Sequence, residues 1–101
     1  MFKKKGNSHA ISTDRFEVSF RGCDSLIYTE RSADGSQRTI TVFAEMLFGR
    51  VNRSISVGTH FPWRYDPPYE CDVITEDRKE QILKNITGAL DFLGITYELC
   101  A

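Results

Sequence analysis

The chain has 101 residues, with 13 Lys and Arg against 14 Asp and Glu. A chain of that length makes one domain and buries roughly 60–65% of the surface that its unfolded form exposes. A net charge near zero gives no general electrostatic case for nucleic acid or membrane, no segment approaches the ~20 apolar residues of a membrane span, and Cys23, Cys71 and Cys100 lack the number and spacing of a disulfide scaffold.

Met1-Phe2-Lys3-Lys4-Lys5 resembles the charged start of a signal peptide, but Gly6-Asn7-Ser8-His9 stands where the apolar run would be. Residues 1–14 therefore read as a mobile basic tail, residues 15–101 as a single α+β domain, and the expected location is cytoplasmic with reduced thiols. Phe16, Val18 and Phe20 alternate with Glu17, Ser19 and Arg21, the period of a strand with one wet face, so the first strand spans about 15–21. Gly22-Cys23-Asp24 turns the chain into a second strand around Leu26 to Arg31. Asp34-Gly35 supplies a hairpin signal, and the return strand runs from Gln37 to Phe48. Ile40, Val42, Ala44, Met46 and Phe48 share one face of it, Phe43 and Leu47 the other. Val51, Arg53, Ile55 and Val57 mark a fourth strand, which completes a four-stranded antiparallel meander.

The stretch 59–71 then holds all three prolines and the only tryptophan. Prolines at 62, 67 and 68 favour an extended arm, and its aromatics argue for order, with Trp63 as the pin that buries against the domain. Thr75 is placed to cap a helix over about 76–93, Glu76 and Asp77 meet the positive end of its dipole, and Gly94 reads as its C-cap. Ile82, Leu83, Ile86, Ala89, Leu90 and Leu93 form its apolar stripe. Gly88 interrupts that stripe, an arrangement suited to close approach to the sheet. Ile95, Tyr97 and Leu99 alternate in a short fifth strand. The expected architecture is an α+β fold in which one amphipathic helix covers one sheet face and leaves the other open.

Chemistry is harder to find. His60 with Asp66, or with Cys71, can be drawn as a base and its partner, yet nothing else in the sequence supports catalysis. His60, Cys71 and Asp72 lack the tight ligand pairs of zinc sites, and the glycines form no phosphate-cradling loop, so neither metal nor cofactor is implied. Arg15, Arg21, Arg31, Arg38, Arg50 and Arg53 lie on or beside strands, but acids interleave with them and the aromatic pair of an RNA-binding sheet is absent, which argues against direct nucleic-acid binding. Charge is uneven along the chain: nine basic to six acidic side chains in residues 1–58, four to eight in residues 59–101. Much of the acid follows the arm, as Asp66, Glu70, Asp72, Glu76, Asp77 and Glu80. An acidic lip of this kind complements a basic partner and speeds encounter.

Ile27-Tyr28-Thr29-Glu30, Glu45-Met46-Leu47, Ile55, and Trp63-Arg64-Tyr65-Asp66-Pro67-Pro68-Tyr69-Glu70 followed by a helix with Ile82, Ile86 and Leu90 resemble the short bacterial immunity proteins of polymorphic toxin systems, over about residues 15–99. The resemblance implies a non-enzymatic protein that neutralises a cognate toxin by stoichiometric binding. The toxin domain would be basic if it is a nuclease. The expected contact is Trp63, Arg64, Tyr65, Asp66, Glu70 and Asp72. The alternative is a small structural or regulatory homodimer that pairs through the open sheet face at Phe43 and Leu47.

Overall fold

The structure is a computed structural model that describes residues 1–49, 51–58 and 63–100. Among these residues seven strands form one sheet in sequence order: β1 (Phe2–Lys4), β2 (His9–Ser12), β3 (Phe16–Arg21), β4 (Ser25–Arg31), β5 (Gln37–Met46), β6 (Arg53–Ser56) and, after helix α1 (Glu76–Leu93), β7 (Tyr97–Cys100). Neighbours from β1 to β6 are antiparallel, and β6 pairs with β7 in parallel. A parallel pair needs a long crossover connection. The arm and α1 together provide it.

Two expectations change. Residues 1–14 were read as a tail, but β1 and β2 lie within them and extend the sheet, with Phe2 opposite Ser12 and Ala10 opposite Val18. The four-stranded meander is consequently six-stranded. Phe2 contributes a ring that stacks on Phe92 of α1 at 5.4 Å and meets Phe16 edge-on at 5.7 Å. Its apolar payload outweighs the local charge of three lysines.

Strands β3 to β5 carry the alternation expected of them. Val18, Leu26, Tyr28, Ile40, Val42 and Ala44 are buried on one face, in a core with Ile55 and with Ile82, Ile86, Ala89, Leu90 and Leu93 of α1. The long strand stops at Met46, so Phe48 is not a core residue but 97% exposed. Thr75 caps α1 by accepting the Arg78 N–H at 3.2 Å, and Gly94 closes it in the left-handed region at φ 73°. A Cβ at Gly88 would sit 3.7 Å from the Phe2 ring, an ordinary contact, so the close approach there does not exclude a methyl group.

The other sheet face is mostly polar. Thr29 and Thr39 bring their hydroxyls to 3.4 Å, and Glu17 takes His9 at 3.1 Å and Arg31 at 3.7 Å. Ile27 is nonetheless buried there among short side chains, while Phe43 is 38% exposed.

Candidate functional site

The arm continues the ladder where β6 stops. β6 pairs with residues 44–46 of β5, and further along the same strand Tyr65 bridges Ile40 while the Asp66 N–H donates to the Thr39 carbonyl at 2.7 Å. Asp66 also accepts the Thr41 hydroxyl at 3.3 Å. Trp63 is buried, as a pin should be, and its indole N–H donates to the Ser56 carbonyl at 3.0 Å. Lys79 of α1 lies 5.4 Å from the Trp63 ring and donates to the Val57 carbonyl at 2.7 Å. Helix, arm and β6 are thereby tied at one point.

A second tie is ionic. The Glu30 carboxylate, near the end of β4, accepts the Tyr65 hydroxyl at 2.9 Å and the Tyr28 hydroxyl at 3.3 Å, and pairs with the Arg78 guanidinium. Asn85 donates to the Tyr28 oxygen at 3.0 Å. Burial pushes Tyr28 up to about 12, the Asn85 bond opposing and the Glu30 charge reinforcing it. Tyr65 is raised for the same leading reason. Burial alone would lower Arg78, but the facing Glu30 charge and the Tyr65 hydroxyl outweigh it and hold the guanidinium above its ordinary value. Tyr28 and Tyr65 are locked donors in this arrangement.

These contacts sort the six expected contact residues. Trp63 and Tyr65 are core residues, 8% and 6% exposed, and present almost nothing to a partner. Asp66 is half-buried and engaged with β5. Arg64, Glu70 and Asp72 are exposed, although Asp72 is held by Arg38 at 3.1 Å. Arg38 in turn lies 4.4 Å from the Tyr69 ring centre and 5.9 Å from that of Tyr65. What sequence reasoning missed is Val73, 85% exposed between Asp72 and the acidic helix start. Its signal was a lone β-branched residue in a polar loop, which is weak in any sequence.

His60 lies outside the described residues, and with it both suggested catalytic pairs and the suggested metal set. Cys71, Cys23 and Cys100 are exposed free thiols. Among the described residues no three His, Cys, Asp or Glu side chains cluster as metal ligands, and no helix is long and apolar enough to cross a membrane. The strand arginines divide by environment. Arg53 is buried, donating to the carbonyls of Cys23 at 2.9 Å and Ala44 at 3.0 Å with its guanidinium 4.1 Å from the Phe20 ring centre. Arg38 is occupied by Asp72, and Arg15 and Arg31 line a cleft beside Arg78.

Comparison of the chain with protein-family models, with curated proteins and with solved structures finds no match in any of the three. Residues and geometry alone carry the functional reading.

Proposed function

We propose that the chain is a non-enzymatic binding protein of the immunity class, which neutralises a cognate toxin domain in the cytoplasm by stoichiometric binding. The observation that supports this reading is an exposed acidic edge mounted on an anchored base. Glu70, Asp72, Glu76 and Asp77 are exposed around Val73, while Trp63 and Tyr65, a few residues upstream, are fixed in the core. Such an edge costs little to order on binding, because its support is already ordered. Acids around an apolar residue supply steering at the rim and desolvation at the centre. The matching partner is a basic protein surface, such as a nuclease domain.

The proposed contact comprises Arg64, Glu70, Asp72 and Val73 with the first turn of α1. The buried rings of Trp63 and Tyr65 act as its support. The test is co-expression with basic toxin domains, scored by rescue of growth and by titration of the purified pair. Glu70→Lys combined with Val73→Asp should weaken binding about a hundredfold, with melting unchanged because neither side chain is buried. Full binding by that double variant would remove the edge from the interface, and failure of every toxin domain to bind would remove the reading.

The self-pairing alternative rests on Phe43 at 38% exposure and the half-buried Leu47. Light scattering that gives a monomer at every concentration would eliminate it.

A further inference from the structure

A cleft of about 310 Å³ lies past the C-terminal end of α1, on the sheet face that the helix covers. The binding edge proposed above lies at the other end of α1, and each site can be tested without the other. The strand pattern builds the floor of the cleft. Phe20, Met46 and Arg53 each extend a buried row, after Val18 in β3, after Ala44 in β5 and before Ile55 in β6, so their side chains project on the same side of the sheet. Met46 stands directly opposite Arg53 in the ladder, and the Arg53 guanidinium lies 4.1 Å from the centre of the Phe20 ring. Ile95, next to the Gly94 cap, closes the side towards the helix, and Ser8 and Leu47 add to the rim. None of the described residues that line the cleft is acidic.

Arg53 is the cation of this cleft, and its bonding is incomplete. The residue is only 7% exposed. Nη1 makes both of its hydrogen bonds, to the Cys23 and Ala44 carbonyls, which leaves Nε and Nη2 without a bond among the described residues. No buried side-chain nitrogen or oxygen among those residues lacks a partner, so these two donors keep a narrow contact with solvent, and the cleft is the opening that Arg53 lines. Asp24 in the β3–β4 turn acts on the guanidinium only at a distance, its carboxylate accepting the Ser25 hydroxyl at 3.3 Å. A nearly buried guanidinium with spare donors attracts an anion more strongly than a solvated one does, because little water remains to compete. The walls around it are apolar: Met46 is 42% exposed, and Phe20 and Ile95 are half-buried. A hydrated inorganic ion gains nothing from such walls.

We infer that this cleft binds a small monocarboxylate with an apolar body, the carboxylate taking the free Nε and Nη2 donors of Arg53 and the body lying against Phe20, Met46 and Ile95. Nε and Nη2 form one side of the planar fork, which matches the two oxygens of a carboxylate. The volume is at the low end of small-molecule sites and suits a body of about six to ten non-hydrogen atoms.

The test is a titration of the full chain followed by backbone amide chemical shifts, with phenylacetate and hexanoate as ligands and phenylacetamide and acetate as comparisons. At least one of the two ligands should saturate, with half-saturation at about 1 mM or below and shifts centred on residues 20, 46–47, 53 and 95. Phenylacetamide keeps the body without the charge, acetate keeps the charge without the body, and each should bind at least about tenfold more weakly. Arg53 also holds β6 in place, so its replacement would mix binding with folding. Met46→Glu avoids this: the side chain is partly exposed, and a carboxylate opposite Arg53 competes for the same donors. That variant should bind about tenfold more weakly or worse while melting within a few degrees of the parent. Phe48→Ser removes an exposed aromatic outside the cleft lining and should leave binding intact. Failure of both ligands to saturate overturns the inference, as do shifts centred elsewhere or a comparison compound that binds as tightly as the ligands. Unaltered binding in Met46→Glu, or an equal loss in Phe48→Ser, overturns it as well.

Discussion

Glu30 and Arg53 are both largely withdrawn from water, and they are held by opposite means. Glu30 is neutralised by a full countercharge, Arg78, and by two phenol hydroxyls. Arg53 faces backbone carbonyls and the face of Phe20, with no carboxylate among its bonds. The first arrangement joins three distant parts of the chain, β4, the arm and α1. The second closes β6 onto the β3–β4 turn and β5. A buried pair depends on both partners being present, because removal of one strands the other. A buried cation solvated by dipoles loses several smaller contacts instead. Burial lowers the Arg53 pKa, as expected for a cation without a countercharge, whereas Arg78 is raised by its carboxylate.

The difference is open to attack from several directions. Glu30→Ala should have the largest effect, about 3 kcal/mol by urea unfolding, because two buried hydroxyls lose their acceptor and the part-exposed Arg78 loses its countercharge. A loss under about 1 kcal/mol would mean that water replaces the carboxylate freely. Next comes alkaline pH. The folded-state pKa of Tyr28, about 12 against an ordinary 10.0, means that the folded protein holds the proton more tightly than the unfolded chain. That contribution is complete below pH 10 and disappears as pH rises through 12, a loss of about 2–3 kcal/mol. Melting temperature followed from pH 9 to 12 should fall, and Tyr28→Phe should flatten the fall; an unchanged slope in the variant would assign the loss to other groups. Smallest is the other centre. Arg53→Lys retains the charge but loses the planar guanidinium whose Nη1 donates to both carbonyls while its face lies on the Phe20 ring, and should cost about 1–2 kcal/mol in the same urea assay. A cost equal to that of Glu30→Ala would erase the distinction between the two centres.

Elements whose signals are local were readable in the sequence. Thr75, the 3–4 spacing from Ile82 to Leu93 and Gly94 bound α1 at the residues where the structure has it, because capping and periodicity act within a turn or two. The Asp34-Gly35 signal likewise located the β4–β5 hairpin, where Asp34 accepts the Ser36 N–H at 2.9 Å and the Ser36 hydroxyl at 2.7 Å. β1 and β2 were missed because their inward residues include only one large apolar side chain, Phe2, and three adjacent lysines suggest solvent. Trp63 was readable as a pin, and its burial is what withdraws it from the surface as a contact. The Glu30 centre was invisible, since Tyr65 and Arg78 stand 35 and 48 residues away from it and no local pattern couples them. Arg53 was hidden for a different reason: an arginine in an alternating strand suggests a wet face, and only the Phe20 ring and two carbonyls make the interior hospitable to it.

The parallel pairing of β6 with β7 has a consequence for how the chain acquires its shape. Every ladder from β1 to β6 joins segments adjacent in sequence, so each closes a short loop. By contrast Asn52 and Thr96, which clasp the start of the last ladder through bonds of 3.1 Å or less, are separated by 44 residues. Contacts of such separation form late, because the entropy of closing the intervening chain must be met before they contribute. During synthesis, therefore, the residues of the first six strands emerge before α1 and β7, which cover the apolar sheet face and the outer edge of β6. In that interval the nascent chain exposes the surface through which sheet proteins aggregate, and the last quarter of the sequence is what ends the exposure.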